Sequence, residues 1–217
     1  MSENKKKRKQ RKKEKPKKAN KMRTAQHEEE EGSKRLPHSG PGDDSLLLAV
    51  RTGTFQDVER VLNSQEDGDV CSQAAVDQAL CIASARGHVL FVTSLLAAGA
   101  DVNWRDQENN TSLLFSAERR FVHIVRLLVG AGADINVRNP EGATPLMLAI
   151  HTSGSSDLAR LLVMGSNVNI KDNSGRTAFM KAIEAGDVDT IQLLLKSGAS
   201  LKDCDNNGHT IIDIAKK

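Results

Sequence analysis

Apolar positions in this chain fall into two alternating sets. The first is Leu113, Leu146, Phe179 and Ile212, each followed three residues later by a small side chain: Ser116, Ala149, Ala182 and Ala215. Allowing one inserted residue, the same frame runs back through Leu46 with Ala49 and Leu80 with Ala83. The second set is Val58, Val61 and Leu62; Val92, Leu95 and Leu96; Val125, Leu128 and Val129; Leu158, Leu161 and Leu162; Ile191, Leu194 and Leu195. Spacings of three and four put each group on one stripe of a helix. A breaker separates the sets: Gly53, Gly87 or Gly186, with Arg120 and Ser153 in the other units. The pattern predicts a short helix, a tight turn, a second helix and a stop, repeated along the chain.

The stop is written almost identically each time. "GADVN" at 99–103 returns as "GADIN" at 132–136, "GSNVN" at 165–169 and "GASLK" at 198–202, every step being 33 residues. Thr111, Thr144, Thr177 and Thr210 keep the same interval. Gly99, Gly132, Gly165 and Gly198 suit a left-handed helix C-cap, where a Cβ would be strained. A second turn, at "NPEG" (139–142) or "DNSG" (172–175), returns the chain so that the threonines cap the next helix, with Pro145 at a first helical position. One such unit cannot bury its own apolar stripe, whereas three or more stacked units can.

The segments "GATPLMLAI" (142–150) and "LLAAGADVN" (95–103), on a 33-residue period, resemble the ankyrin repeat. The resemblance covers residues 43–217, as five full repeats starting near 43, 75, 108, 141 and 174 and a truncated sixth from 207. It implies an all-α solenoid of helix–turn–helix units joined by β-hairpin-like loops, with residues 1–42 as a basic tail and linker. The His that usually follows the family's TPL is replaced by Cys81, Leu114, Met147, Met180 and Asp213, which predicts looser links between loops. The fourth repeat's "HTSGSSDLAR" displaces its glycine by one place, and the first continues as the longer, polar "NSQEDGDVCSQAA". The chain stops at "TIIDIAKK", which predicts partial exposure of Ile211, Ile212 or Ile214.

The resemblance further implies a non-enzymatic adaptor, a monomer that binds a protein partner on its concave surface. Carried over position by position, this nominates Arg105, Arg138 and Lys171 at the hairpin tips, Trp104 beside them, and Arg86, Glu118, Arg119, His151 and Glu184 on the inner helices. The plainer alternative is that the tips are solvated and Trp104 packs over a neighbouring hairpin. Asn103 and Asn136 lie in segments similar to those that asparaginyl hydroxylases modify, although an Asn there can equally serve the hairpin backbone.

Charge adds a second region to this picture. Residues 1–23 hold thirteen Lys or Arg against Glu3 and Glu14, a net +11, which leaves −8 for the remainder of a chain whose total is +3. The run "KKKRKQRKKEKPKK" (5–18) has no apolar residue and is expected to be disordered alone. Its residues Lys5, Lys6, Lys7, Arg8, Lys9, Arg11, Lys12 and Lys13 fit a nuclear or nucleolar address, which places the chain in the nucleus with a cytoplasmic fraction. Weak, salt-sensitive contact with RNA or DNA phosphates is the alternative use, without aromatics for base stacking. Membrane binding is disfavoured, since no apolar wedge or lipidation site accompanies the charge.

No nucleophile elbow or phosphate loop occurs, and Cys71, Cys81 and Cys204 lie in no metal-ligand spacing. No cofactor and no metal are expected. The absence of an apolar leader or of a long apolar run reads as a soluble, intracellular chain.

Overall fold

The four units from the second to the fifth begin on a hydroxyl, Ser72, Thr111, Thr144 or Thr177, and end on a left-handed glycine, Gly99, Gly132, Gly165 or Gly198. The computed structural model describes residues 41–63, 71–150 and 156–216. The basic run with its address residues, the 64–70 connection, and the nominated His151 and Ser153 lie outside the described residues. All described residues belong to the unit that begins at Gly40. They form α1 (Pro41–Thr52), α2 (Phe55–Asn63), α3 (Gln73–Arg86), α4 (Val89–Ala97), α5 (Ser112–Glu118), α6 (Val122–Gly130), α7 (Pro145–Ile150), α8 (Ser156–Val163), α9 (Ala178–Ala185), α10 (Val188–Lys196) and α11 (Ile211–Ala215).

The threonines do what their position predicts. Thr111, Thr177 and Thr210 accept from the backbone N–H three residues on, and Thr144 does the same for Met147 at 3.3 Å. Each such cap contributes about 1 kcal/mol. Asp213 returns the bond to the Thr210 N–H at 3.0 Å and completes a capping box. Between the paired helices Gly87 and Gly186 turn with φ of 80° and 66°, and Arg120 takes the same conformation at 63° despite its Cβ. Gly53 answers a different need, because a Cβ there would lie 2.7 Å from the Ala49 carbonyl oxygen.

The helices stack in two rows. The first helices, α1, α3, α5, α7, α9 and α11, pack side by side, and α2, α4, α6, α8 and α10 form a second row against them. The core runs between the rows as one repeated layer. Leu46, Leu80, Leu113 and Leu146 are at most 1% exposed, and Ala83, Ser116, Ala149 and Ala182 are fully buried where the first helices meet. Ser116 is accommodated there because its hydroxyl donates to Ser112 O and Leu113 O. Ile212 holds the same register as Leu146 yet is 65% exposed, since no helix follows α11 among the described residues. Leu195 is exposed at the same end, and Ile214 is buried.

Helix α3 departs from the period. Strict spacing from α5 would start it at 79, but it begins at Gln73, where Ser72 Oγ accepts from Ala75 N. The Asp43 carboxylate anchors that start by accepting from Ser72 N and Oγ at 2.6 and 2.7 Å. No strand occurs among the described residues; the hairpin-like loops are marked by single antiparallel bridges, Lys171–Thr177 and Cys204–Thr210.

Candidate functional site

The loops that join one unit to the next are built on side-chain acceptors. Asp101, Asp134 and Asn167 each accept, through Oδ1, the N–H two residues on, at 2.9–3.1 Å. The asparagines then reach the following loop. Asn103, Asn136 and Asn169 accept, through Oδ1, from the N–H groups of Asp134, Asn167 and Ser200, each at 2.8 Å. The amides of Asn103 and Asn169 donate to Gly132 O and Gly198 O. Asn103 and Asn136 therefore belong to a ladder of links between loops. The looseness expected from the missing His is not what the structure shows, because the ladder ties each loop to the next.

The first rung has another origin. Residues 64–70, where a matching Asn would stand, are outside the described part. The buried Asp77, on α3, accepts from Asp101 N at 2.7 Å, and Gln73 donates to Gly99 O at 2.9 Å. Two helix side chains thus make the bonds that one asparagine makes elsewhere. Sequence reasoning missed both, because they act from the early turns of α3, whose start depends on the cap at Ser72 and on Asp43.

The basic row also spends its donors between loops. Arg105 Nη1 donates to Arg138 O at 3.3 Å, Arg138 Nη2 to Lys171 O at 3.1 Å, and Lys171 Nζ to Cys204 O at 3.2 Å. Lys171 also pairs with Asp203 at 2.9 Å. Hydrogen bonding within that pair holds the ammonium above, and the carboxyl below, its ordinary range. These three side chains hold the hairpins in register rather than lying free as solvated tips.

At the tips, Gly142, Gly175 and Gly208 adopt φ of 77–79°, and Asn109 fills the equivalent place at 64°. Asn173 N donates to Glu141 O at 2.9 Å and Asn206 N to Ser174 O at 3.0 Å. This contact is so close that a Cβ on Gly142 or Gly175 would sit 2.4 Å from the next asparagine's Oδ1. Pro140 has no N–H, so the corresponding link to Glu108 does not form, and Asn109 keeps its Cβ there.

The open face of the first helices carries the remaining nominated residues. Leu48, Ile82, Phe115 and Leu148 occupy one register along α1, α3, α5 and α7; Leu48 is 62% exposed and the others are half-buried. In α9 that register holds Lys181, which pairs with Asp172 at 3.0 Å. One turn further on stand the exposed Arg51, Arg86, Glu118, Arg119 and Glu184. Arg86 Nη1 donates to Arg51 O, and Glu184 pairs with Arg176 at 2.7 Å. Trp104 is half-buried at a hairpin base. The apolar register was absent from the sequence reading, although its steps of 33 and 34 residues could have marked it.

Reactive chemistry is sparse among the described residues. Burial pushes the Cys81 thiol up to about 11, against the pull of a hydrogen bond with Ser112, so it stays protonated at neutral pH. No group of three His, Cys, Asp or Glu able to hold a metal occurs among the described residues, and no helix there is long and apolar enough to cross a membrane.

Comparison with known families agrees with this geometry. A family model described as ankyrin repeats matches three times, at residues 46–139, 80–172 and 146–217. No curated protein gave a match. Repeats of this kind are protein–protein interaction modules, and the matched span exceeds half of the 217 residues. The chain is a member of the ankyrin-repeat family.

Proposed function

We propose that the chain is a non-catalytic adaptor that docks a partner protein on the face formed by its first helices and hairpins, and that its basic tail carries it to the nucleus. The observation that carries the docking reading is the ladder. Asn103, Asn136 and Asn169 fix successive loops to one another, so Arg86, Trp104, Glu118, Arg119 and Glu184 are displayed on a preorganised frame. Side chains held in place before docking lose less entropy on binding. Arg105, Arg138 and Lys171 serve that surface by positioning it.

The test is a photo-crosslinking residue placed in living cells at Arg119, on the open face, or at Arg126, exposed on α6. A discrete protein adduct from position 119 and none from 126 is expected. Adducts from 126 alone would overturn the docking face. The tail reading rests on the composition of residues 5–18. Deleting residues 1–23 is expected to move a fluorescent fusion towards the cytoplasm relative to a passive control of equal mass; an unchanged nuclear ratio would refute the address.

A further inference from the structure

The cations of the open face are treated differently in its two halves. In the C-terminal units each has a carboxylate: Lys171 with Asp203, Arg176 with Glu184, and Lys181 with Asp172, all within 3.0 Å. In the N-terminal units Arg51, Arg86 and Arg119 form no ion pair among the described residues, and Arg105 and Arg138 end on carbonyl oxygens, which leaves their charge unneutralised. Glu118 stands in the same helix row, likewise without an ion pair.

The division coincides with the apolar register. Leu48, Ile82, Phe115 and Leu148 run beneath the unpaired arginines, and the register turns into the ion-paired Lys181 where the paired half begins. Within each helix the two rows adjoin, because residues three or four apart share a face: Leu48 with Arg51, Ile82 with Arg86, Phe115 with Arg119.

We propose that the docking surface is confined to α1, α3, α5 and α7 and takes an extended acidic segment of a partner protein, its carboxylates on Arg86 and Arg119 and its apolar side chains on Leu48, Ile82, Phe115 and Leu148. This inference rests on the docking reading above and narrows it to one half of the face and one chemistry. Side-by-side helices lie about 10 Å apart, so four of them span about 30 Å. An extended segment of about ten residues covers that length. Unneutralised arginines recruit carboxylates through charge-assisted, often bidentate, hydrogen bonds. The half-buried aliphatic and phenyl groups between them need apolar contact, which a phosphate backbone or a purely acidic run does not supply. The chain's own Glu28–Glu31 is such a run, without an apolar residue in it.

The test uses the full chain and two fluorescent peptides of about twelve residues, long enough for the register. One alternates Glu with Leu and the other Glu with Ser, so both feel the basic tail equally. The Glu/Leu peptide is expected to bind about ten-fold tighter than the Glu/Ser peptide. Arg86→Gln with Arg119→Gln is expected to weaken the Glu/Leu peptide about ten-fold, and separately Leu48→Gln, at an exposed position, to reduce its advantage over the Glu/Ser peptide. The charge-matched pair Arg176→Gln with Lys181→Gln is expected to leave the affinity for the Glu/Leu peptide unchanged.

Equal losses from the two pairs, or equal affinity for the two peptides, would overturn the proposal. So would an affinity for the Glu/Leu peptide that rises about ten-fold when Glu28–Glu31 are replaced by Gln, since the chain itself would then be the occupant. A single-stranded oligonucleotide that binds and is displaced only by the Arg86/Arg119 pair would overturn it as well. None of these results bears on crosslinking at position 119, which decides the docking reading separately.

Discussion

At the residue scale, Asp77 shows how a repeat can lose a residue and keep its bond. Its carboxylate accepts from Asp101 N and from Gln73 Nε2, at a site where its side chain is buried. Removing a buried acceptor strands its donors, at about 1–3 kcal/mol. Asp77→Ala is therefore expected to lose about that much stability in urea melts, and Asp77→Asn clearly less, because an amide oxygen makes the same bond at Asn103, Asn136 and Asn169. Equal losses would mean that charge rather than an acceptor is needed. The threonine caps and the left-handed glycines were legible in the sequence because four copies could be compared at one interval. Asp77 was not, since only Asp43, 34 residues upstream, acts from the same helix position, and the later units carry no carboxylate there. Arg105, Arg138 and Lys171 were legible as a row, but composition says nothing of where a guanidinium donates, and each one reaches into the next unit.

At the element scale, the last hairpin and α11 are held by a cluster of carboxylates. Hydrogen bonds from Lys171 and Ser200 lower Asp203, and those from Thr210 lower Asp213. Burial pulls Asp205 up, but its bonds with His209 and Asn207 prevail and bring it down to about 2. A carboxyl whose folded value is depressed stabilises the fold fully above its unfolded value near 4, and that contribution fades as pH falls through the folded value. Between about pH 4 and pH 2 this end is expected to open first. Hydrogen exchange would show it as lost protection at Asn207, His209 and Ile214 while Leu128 in α6 stays protected. Uniform loss along the chain would refute the prediction. Helix existence and the exposed end were legible from the apolar pattern, but the start of α3 was not: its cap depends on Asp43, 29 residues upstream.

At the scale of the whole molecule, neighbours decide what a position contributes. Leu146 and Ile212 hold the same place in their units, yet one is buried between adjacent first helices and the other faces outwards. Leu146→Ala is expected to cost about 2–5 kcal/mol through lost burial and the cavity left behind. Ile212→Ala is expected to stay within about 0.5 kcal/mol. Comparable losses in denaturant melts would show that the end of the stack is covered in solution. The stacking itself was legible, because a lone unit has nothing to bury against. The split of the open face into paired and unpaired halves was not, since it depends on which carboxylate each cation meets.

The ladder also sets how the chain can find this fold. Its rungs join residues 24 to 35 apart, whichever pair of units they connect. The entropy of closing a loop depends on its length, so every rung carries nearly the same closure cost and none requires distant ends to meet. Formation can nucleate at any adjacent pair and spread in both directions, and adding a further unit would lengthen the array without lengthening its slowest search.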